Sequence, residues 1–209
     1  MDPHSNHNRE QDPWAQWFEL ATSPETRHDL EHALEDIYNE AARRTKAGGG
    51  RCRQSGRCCR FESYGHRLYV TGLEAAWFLT RTLEPAGLAP GHAGRSGSTQ
   101  LEPVASSVPG PALPQPAART ISLPQAEHGD ACPYQQGGLC TAHATRPLGC
   151  RVFFCEGEGQ GWQESAYEQG QARLQALHER FQVPYRYAEW RALLNEASEG
   201  LAALHPRDA

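Results

Sequence analysis

The sequence predicts a mainly helical fold: a small helical domain with irregular cysteine-rich metal-binding loops and little or no sheet. Three observations lead there. Apolar residues recur at helical spacing in several separate stretches. The seven cysteines of the 209-residue chain fall into two loops bordered by glycine. The one extended piece that stands out is short, Leu68 to Val70.

Taken in order, residues 1–12 read as a disordered N-terminus, polar and acidic. A helix is expected from Ser23, where "SPET" offers an N-cap serine, a proline at the first helical position and an early glutamate. Leu30, Leu34, Ile37 and Ala41 share one face, and Gly48-Gly49-Gly50 ends the helix. His28 and His32, four apart, have the spacing to share a metal. They project opposite the leucine stripe beside Asp29, Glu31 and Glu35, so a solvated face is the favoured reading. After Leu68–Val70, Thr71 and Glu74 have the Thr-x-x-Glu spacing of a capping box. The helix they open buries Leu73 and Trp77, with Leu83 as a further member.

Residues 84–120 are rich in Pro, Gly, Ala and Ser, without apolar periodicity, and read as a flexible insertion. Residues 13–83 and 121–205 are then one cysteine-cluster domain, because the cysteines on either side of the insertion belong together. "EGEGQG" is expected as a loop. Its glycines do not follow a strand and open a helix as a phosphate cradle requires. Two closing helices are expected. One runs from about Glu164 to Phe181 with Leu174, Leu177 and Phe181 inward. The other follows Pro184 and buries Trp190, Leu193, Leu194, Ala197, Leu201 and Leu204.

Composition excludes several classes. The formal net charge of −5 argues against nucleic acid as a partner. No apolar run approaches the roughly 20 residues that span a bilayer, so no membrane association is expected. The N-terminus lacks the basic and apolar regions of a signal peptide, which makes a cytoplasmic location the expectation. In that reducing compartment cysteines are metal ligands or redox groups rather than disulfides. A disulfide-stapled secreted domain is the competing reading. The sequence names no protein partner.

The first cluster, "RCRQSGRCCRF", places Cys52, Cys58 and Cys59 among Arg51, Arg53, Arg57 and Arg60. The second, residues 131–155, holds Cys132, Cys140, Cys150 and Cys155, with Arg146 and Arg151. Thiolates are soft, deprotonated donors that suit zinc or an iron–sulfur cluster. Four of them around either centre leave a net charge of about −2. The arginines are expected to offset that charge and to favour the thiolate form. Adjacent Cys58 and Cys59 are expected to point in different directions, and so to serve a multi-iron cluster or two separate metals. His143 is a candidate nitrogen ligand, with a surface or core histidine as the plainer reading.

The two motifs resemble those of the YkgJ-type cysteine-cluster family, the CxxCxxCC zinc- or iron-chelating domain. The first loop is similar to Cys-x2-Cys-x2-Cys-Cys. The second is similar in Cys132-Pro133, Gly138 with Cys140, and Arg146-Pro147-x2-Cys150-Arg151. The likeness covers roughly residues 50–156. Ser55 stands where the family has its second cysteine, and His143 where it has a tyrosine. Cys155, just past the arginine–cysteine motif, is a candidate for the missing ligand. The resemblance implies a domain holding zinc or iron, a 4Fe-4S cluster included. One branch with similar cysteines, the flagellin lysine-N-methylases, is enzymatic.

The leading expectation is a cytosolic metal-binding protein that holds an iron–sulfur cluster or zinc through Cys58, Cys59, Cys132, Cys140 and Cys150, with Cys52 and Cys155 as further ligands. Two other classes compete. One is an iron–sulfur-dependent enzyme modifying a protein substrate, for which the chain shows no cofactor loop or nucleophile motif. The other is a structural, zinc-stapled interaction domain, which a closed four-ligand site would favour. Thiol redox sensing by Cys58-Cys59 is the weakest reading, since a vicinal disulfide is strained.

Overall fold

A computed structural model describes residues 12–50, 52, 55–83, 123–126, 129, 131–152 and 160–204 of the chain. The expected insertion at 84–120 lies outside the described residues, as do Arg51, Arg53, Asp130 and Cys155. Among the described residues six α-helices carry the fold, with two small antiparallel sheets of two strands each. The mainly helical expectation holds.

The first helix, α1 (Pro13–Thr22), was not foreseen. The Asp12 carboxylate accepts the Trp14 N–H at 3.0 Å and Pro13 occupies the opening turn, which are standard start signals. Trp14, Trp17, Leu20 and Ala21 are buried, so the segment is core and not part of a polar tail. Ser23, expected as the N-cap of the next helix, instead closes α1, its N–H bonded to the Glu19 carbonyl at 2.8 Å. Its hydroxyl bonds the Glu25 carboxylate. Ser23-Pro24-Glu25 is therefore the corner between two helices, and α2 (Arg27–Ala47) starts three residues late.

Along α2 the expected stripe is buried, with Leu30 and Leu34 fully enclosed. Each such leucine contributes about 2 kcal/mol of transfer free energy. His28 and His32 are exposed on the opposite side, beside Asp29 and Asp36, as the solvated-face reading required. The triple glycine ends the helix and also receives Trp162. A Cβ at Gly48 would lie 2.5 Å from that indole ring.

Strand β1 (Tyr69–Thr71) leads into α3 (Gly72–Leu83), and β4 (Tyr187–Glu189) leads into α6 (Trp190–Leu204). The two strands pair antiparallel, Tyr69 opposite Glu189 and Thr71 opposite Tyr187. Between them in the chain come a hairpin, β2 (Gln135–Gln136) and β3 (Leu139–Cys140), then α4 (Leu148–Val152) and α5 (Gln160–Arg180). α5 begins inside the stretch expected as a loop. α1 and α2 pack on one another, α1 and α6 lie against α3, and α4 and α5 lie against α2. The Pro184 carbonyl, between α5 and β4, accepts Trp17 Nε1–H at 2.9 Å and His178 Nδ1–H at 2.8 Å, fastening α1 to the far end of α5.

The capping box forms as read. Glu74 N–H bonds Thr71 Oγ1, and Thr71 N–H bonds Glu74 Oε2, both at 3.3 Å. What the spacing did not indicate is how much else this carboxylate holds. Glu74 is 1% exposed, and its Oε1 accepts the Tyr38 hydroxyl at 3.0 Å and the Leu148 N–H at 2.8 Å. One buried side chain thus joins α2, α3 and the first turn of α4. Burial pushes its pKa above the usual carboxylate range, against the pull of the hydrogen bonds it accepts.

Glu74→Ala leaves the Leu148 N–H and the Tyr38 hydroxyl buried without their acceptor. It is expected to cost about 3 kcal/mol in urea denaturation. The raised pKa has a sign that can be checked. The folded chain keeps the Glu74 proton to higher pH than the unfolded chain, whose value is about 4.3. Stability from this group is therefore present below about pH 4.3 and is lost as pH rises through the folded value. Glu74→Gln should remove that pH-dependent component, read as the difference in urea midpoints between the two proteins from acid to neutral pH. Parallel pH profiles would refute it.

Candidate metal centre

The first loop turns at Gly56, whose φ is +71°, and runs into a 3₁₀ turn, Arg57–Cys59. No side chain fits at Gly56, where a Cβ would lie 2.3 Å from Gln135 Nε2 and 2.5 Å from the Gly138 carbonyl oxygen. That close approach is where the second loop docks. Gln135, 2% exposed, donates from Nε2 to the Gly56 carbonyl at 2.9 Å. The Cys132 N–H bonds the Cys59 carbonyl at 2.7 Å, and Arg60 bridges to Ala131. The hairpin reverses at Gly137-Gly138, both with positive φ, and sets Cys140 opposite Gln135. Cys150 rides on α4, whose first turn hangs from Glu74.

These supports bring all six described cysteines, Cys52, Cys58, Cys59, Cys132, Cys140 and Cys150, to the wall of one cavity of about 150 Å³. All six are free thiols. Cys59 and Cys132 are buried, Cys58, Cys140 and Cys150 half-buried, and Cys52 exposed. The expectation that Cys58 and Cys59 point apart is corrected. Their sulfurs lie 3.9 Å apart on the same cavity. Successive side chains in a 3₁₀ turn are about 120° apart rather than opposed as in a strand, so neighbours can face one space.

An aromatic wall completes the cavity. Phe78 meets both Tyr134 and Trp190 edge-on, with ring centroids 4.7 and 4.9 Å away. Trp190 Nε1–H donates to Cys132 Sγ at 3.4 Å. Sequence reading had Trp190 as core only. The contact spans 58 residues of chain, and no local spacing signals it.

Of the described arginines from the two clusters, only Arg146 lines the cavity, held by hydrogen bonds to the His143 and Cys150 carbonyls. Arg57 instead sits over the Tyr64 ring, and Arg151 over Tyr38 while bonding the Ala144 and Arg146 carbonyls. Among the described residues Arg146 alone of the expected compensating arginines lines the cavity, and Arg57 and Arg151 have partners of their own. His143 is exposed but on the cavity wall, with its pKa lowered by partial burial and by Arg146 and Arg151. A neutral imidazole is the form that ligates. Ser55 is exposed and does not line the cavity. Its hydroxyl accepts the Arg57 N–H at 3.5 Å, the contact of a turn residue.

The thiols are differentiated. Cys59 shares hydrogen bonds with Cys132, Cys140 and Cys58, and these, with burial, hold its own proton on. The partners gain. Cys140 is lowered to about 6 by the Cys59 hydrogen bond and further by Arg146. Cys58 is lowered to about 7 by the same two groups in the same order. Cys132 is lowered by Cys59 and then by the Trp190 N–H, while burial drives Cys150 well up. Among the described residues no group of three or more His, Cys, Asp or Glu is already arranged to hold an ion. The site is a gathering of hydrogen-bonded thiols that must give up protons to ligate.

The donor set fits a thiolate-bound metal. It offers more than four soft donors on one cavity, with a cation on the wall. The 3.9 Å sulfur separation compares with about 3.8 Å for the edge of a sulfur tetrahedron built on zinc–sulfur bonds of about 2.3 Å. Fold and cavity together define the class: a mainly helical domain that gathers thiols from two loops at one point. No protein-family model matches the chain, and no curated protein or solved structure is significantly similar to it.

The thiol order is testable on the metal-free protein. At pH 7, brief treatment with iodoacetamide should alkylate Cys140 and Cys58 well before Cys59 and Cys150, as mapped by peptide mass spectrometry. Labelling of Cys150 ahead of Cys140 would contradict the assignment.

Proposed function

We propose that the protein is a cytoplasmic metal-binding protein whose two cysteine loops hold zinc through thiolates. The observation that carries this reading is the convergence of six thiols, from segments some 70 residues apart, on one small cavity. Cys58, Cys59, Cys132 and Cys140 are the proposed ligands, since Cys59 is in hydrogen-bond contact with the other three. Cys150 and His143 stand on the same wall as reserves, and Arg146 offsets part of the thiolate charge. A cytoplasmic setting suits the reading because thiols stay reduced there. Among the described residues no helix is long and apolar enough to cross a membrane. The resemblance of the two motifs to the YkgJ-type cysteine-cluster family belongs to this same proposal.

The surplus of thiols over four favours a second reading, an iron–sulfur cluster on the same loops. The bound centre supplies Lewis acidity if it is zinc, or electron transfer if it is a cluster. The chain's own part is to orient the sulfurs, to exclude water with Phe78, Tyr134 and Trp190, and to donate the Trp190 N–H to Cys132.

Anaerobic purification followed by assay of zinc, iron and acid-labile sulfide per chain decides between them. About one zinc and a colourless protein is the expected result. About four irons with four sulfides and a brown colour would establish the cluster instead. Cys59→Ser should abolish stoichiometric metal, while Cys52→Ser, at the exposed edge, should retain it. Neither metal in the wild-type protein, with every thiol titratable, would overturn the proposal.

A further inference from the structure

A second cavity, of about 380 Å³, backs onto the first, and Cys58 and Cys150 line both. It lies between the β1–β4 ribbon, α4 and the first turns of α5. Its size falls within the roughly 300–1,000 Å³ of small-molecule sites. Leu68, Val152 and Tyr69 give it an apolar side. Arg67 and Glu164, both exposed, also line it. Neither has a hydrogen-bond or ion-pair partner among the described residues. An unpaired cation and an unpaired carboxylate on one cavity wall are left to a ligand that brings both opposite charges. A simple anion would leave Glu164 facing like charge, and a simple cation would do the same at Arg67.

A hydrogen-bond relay adds direction. Gln171 Nε2–H donates to the Tyr167 hydroxyl at 3.0 Å, and Tyr167 and Tyr187 are joined hydroxyl to hydroxyl. The two hydroxyls carry two protons and share one bridge, so one O–H of the Tyr167–Tyr187 pair is left to donate into the cavity that both line. The Tyr187 ring is braced by Tyr69, their centroids 5.5 Å apart.

The geometry points to a binding site for a zwitterionic α-amino acid with an apolar side chain. Its carboxylate is taken by Arg67 and the free O–H of the Tyr167–Tyr187 pair, its ammonium by Glu164, and its side chain by Leu68, Val152 and Tyr69. None of these groups is a thiol, so the site goes beyond the metal reading and stands or falls without it.

Calorimetric titration of the full chain tests this with four probes: L-leucine, L-phenylalanine, isopentylamine, which lacks the carboxylate, and 4-methylpentanoate, which lacks the ammonium. At least one amino acid should bind about tenfold or more tightly than either truncated analogue. Arg67→Gln should weaken the amino acid about tenfold while leaving the amine unchanged, and Glu164→Gln should do so while leaving the acid unchanged. Both residues are exposed and have no partner among the described residues, so neither change should disturb folding, which circular dichroism checks. No saturable binding of leucine or phenylalanine up to about 10 mM would overturn the proposal. So would an acid or an amine that binds as tightly as the amino acid.

Discussion

The arrangement of this protein depends on a carboxylate buried where three helices meet. Glu74 sits at the start of α3, within hydrogen-bond reach of α2 through Tyr38 and of α4 through the Leu148 N–H. A carboxyl group taken out of water costs several kcal/mol unless its oxygens find donors. Here four hydrogen bonds from three groups supply them. The consequence reaches the thiols. α4 is five residues long, too short to hold itself as a helix, and it carries Cys150 two positions after the backbone N–H that Glu74 fixes. Arg151 on the same turn lies over Tyr38, the other donor to Glu74. The second cysteine loop is thus anchored to the helical core by one side chain and its neighbours.

The first loop is anchored to the core by Phe61, which is 1% exposed, and to the second loop by hydrogen bonds. Cys132 N–H on the Cys59 carbonyl, Arg60 against Ala131, and Gln135 on Gly56 form a short seam of backbone and side-chain hydrogen bonds. That seam brings sulfurs together that would repel once deprotonated. Hydrogen bonds with Cys132, Cys140 and Cys58, and burial, favour the protonated form of Cys59, which keeps one charge out of the cluster. For a thiolate-bound metal of the kind proposed, ligation would have to displace that proton, and the affinity for metal would rise with pH. Trp190 matters in both states, because an N–H aimed at Cys132 favours the thiolate whether or not a metal is present.

What the sequence revealed follows the range of the signal. The Thr71–Glu74 capping box and the Leu30, Leu34, Ile37, Ala41 stripe are local patterns, and both formed as read. The gathering of cysteines was legible because two glycine-bordered loops rich in thiols have little else to do. α1 was missed although Asp12-Pro13 and the spacing of Trp14, Trp17 and Ala21 mark it, because it abuts a polar N-terminus whose composition dominated the reading. The start of α2 slipped for a related reason: Ser23 has the chemistry of an N-cap but spends it at the end of α1. The rest lies in contacts far apart in the chain. Glu74 to Leu148 spans 74 residues, Gln135 to Gly56 79, and Trp190 to Cys132 58. The arginines show the same limit, since clustering in sequence did not say that Arg57 and Arg151 would be taken by aromatic rings.

The two cavities share a wall, and that wall is Cys58 and Cys150. Any movement of these side chains toward a common centre in the inner cavity changes the floor of the outer one. Occupancy of the outer cavity likewise biases where the two sulfurs can go. Coupling of this kind is reciprocal: whatever factor a metal adds to the affinity of the outer cavity, a ligand there adds to the affinity for metal. Its size is set by how differently the two cysteines stand in the ligated and free states. Cys150 lies two residues after the Leu148 N–H that Glu74 holds, and Cys58 lies on a 3₁₀ turn, its carbonyl meeting His66 at 3.2 Å and its neighbours Gly56 and Cys59 bonded to the second loop. With both cavities filled as proposed, these two side chains would carry the coupling, since among the described cysteines they alone line both.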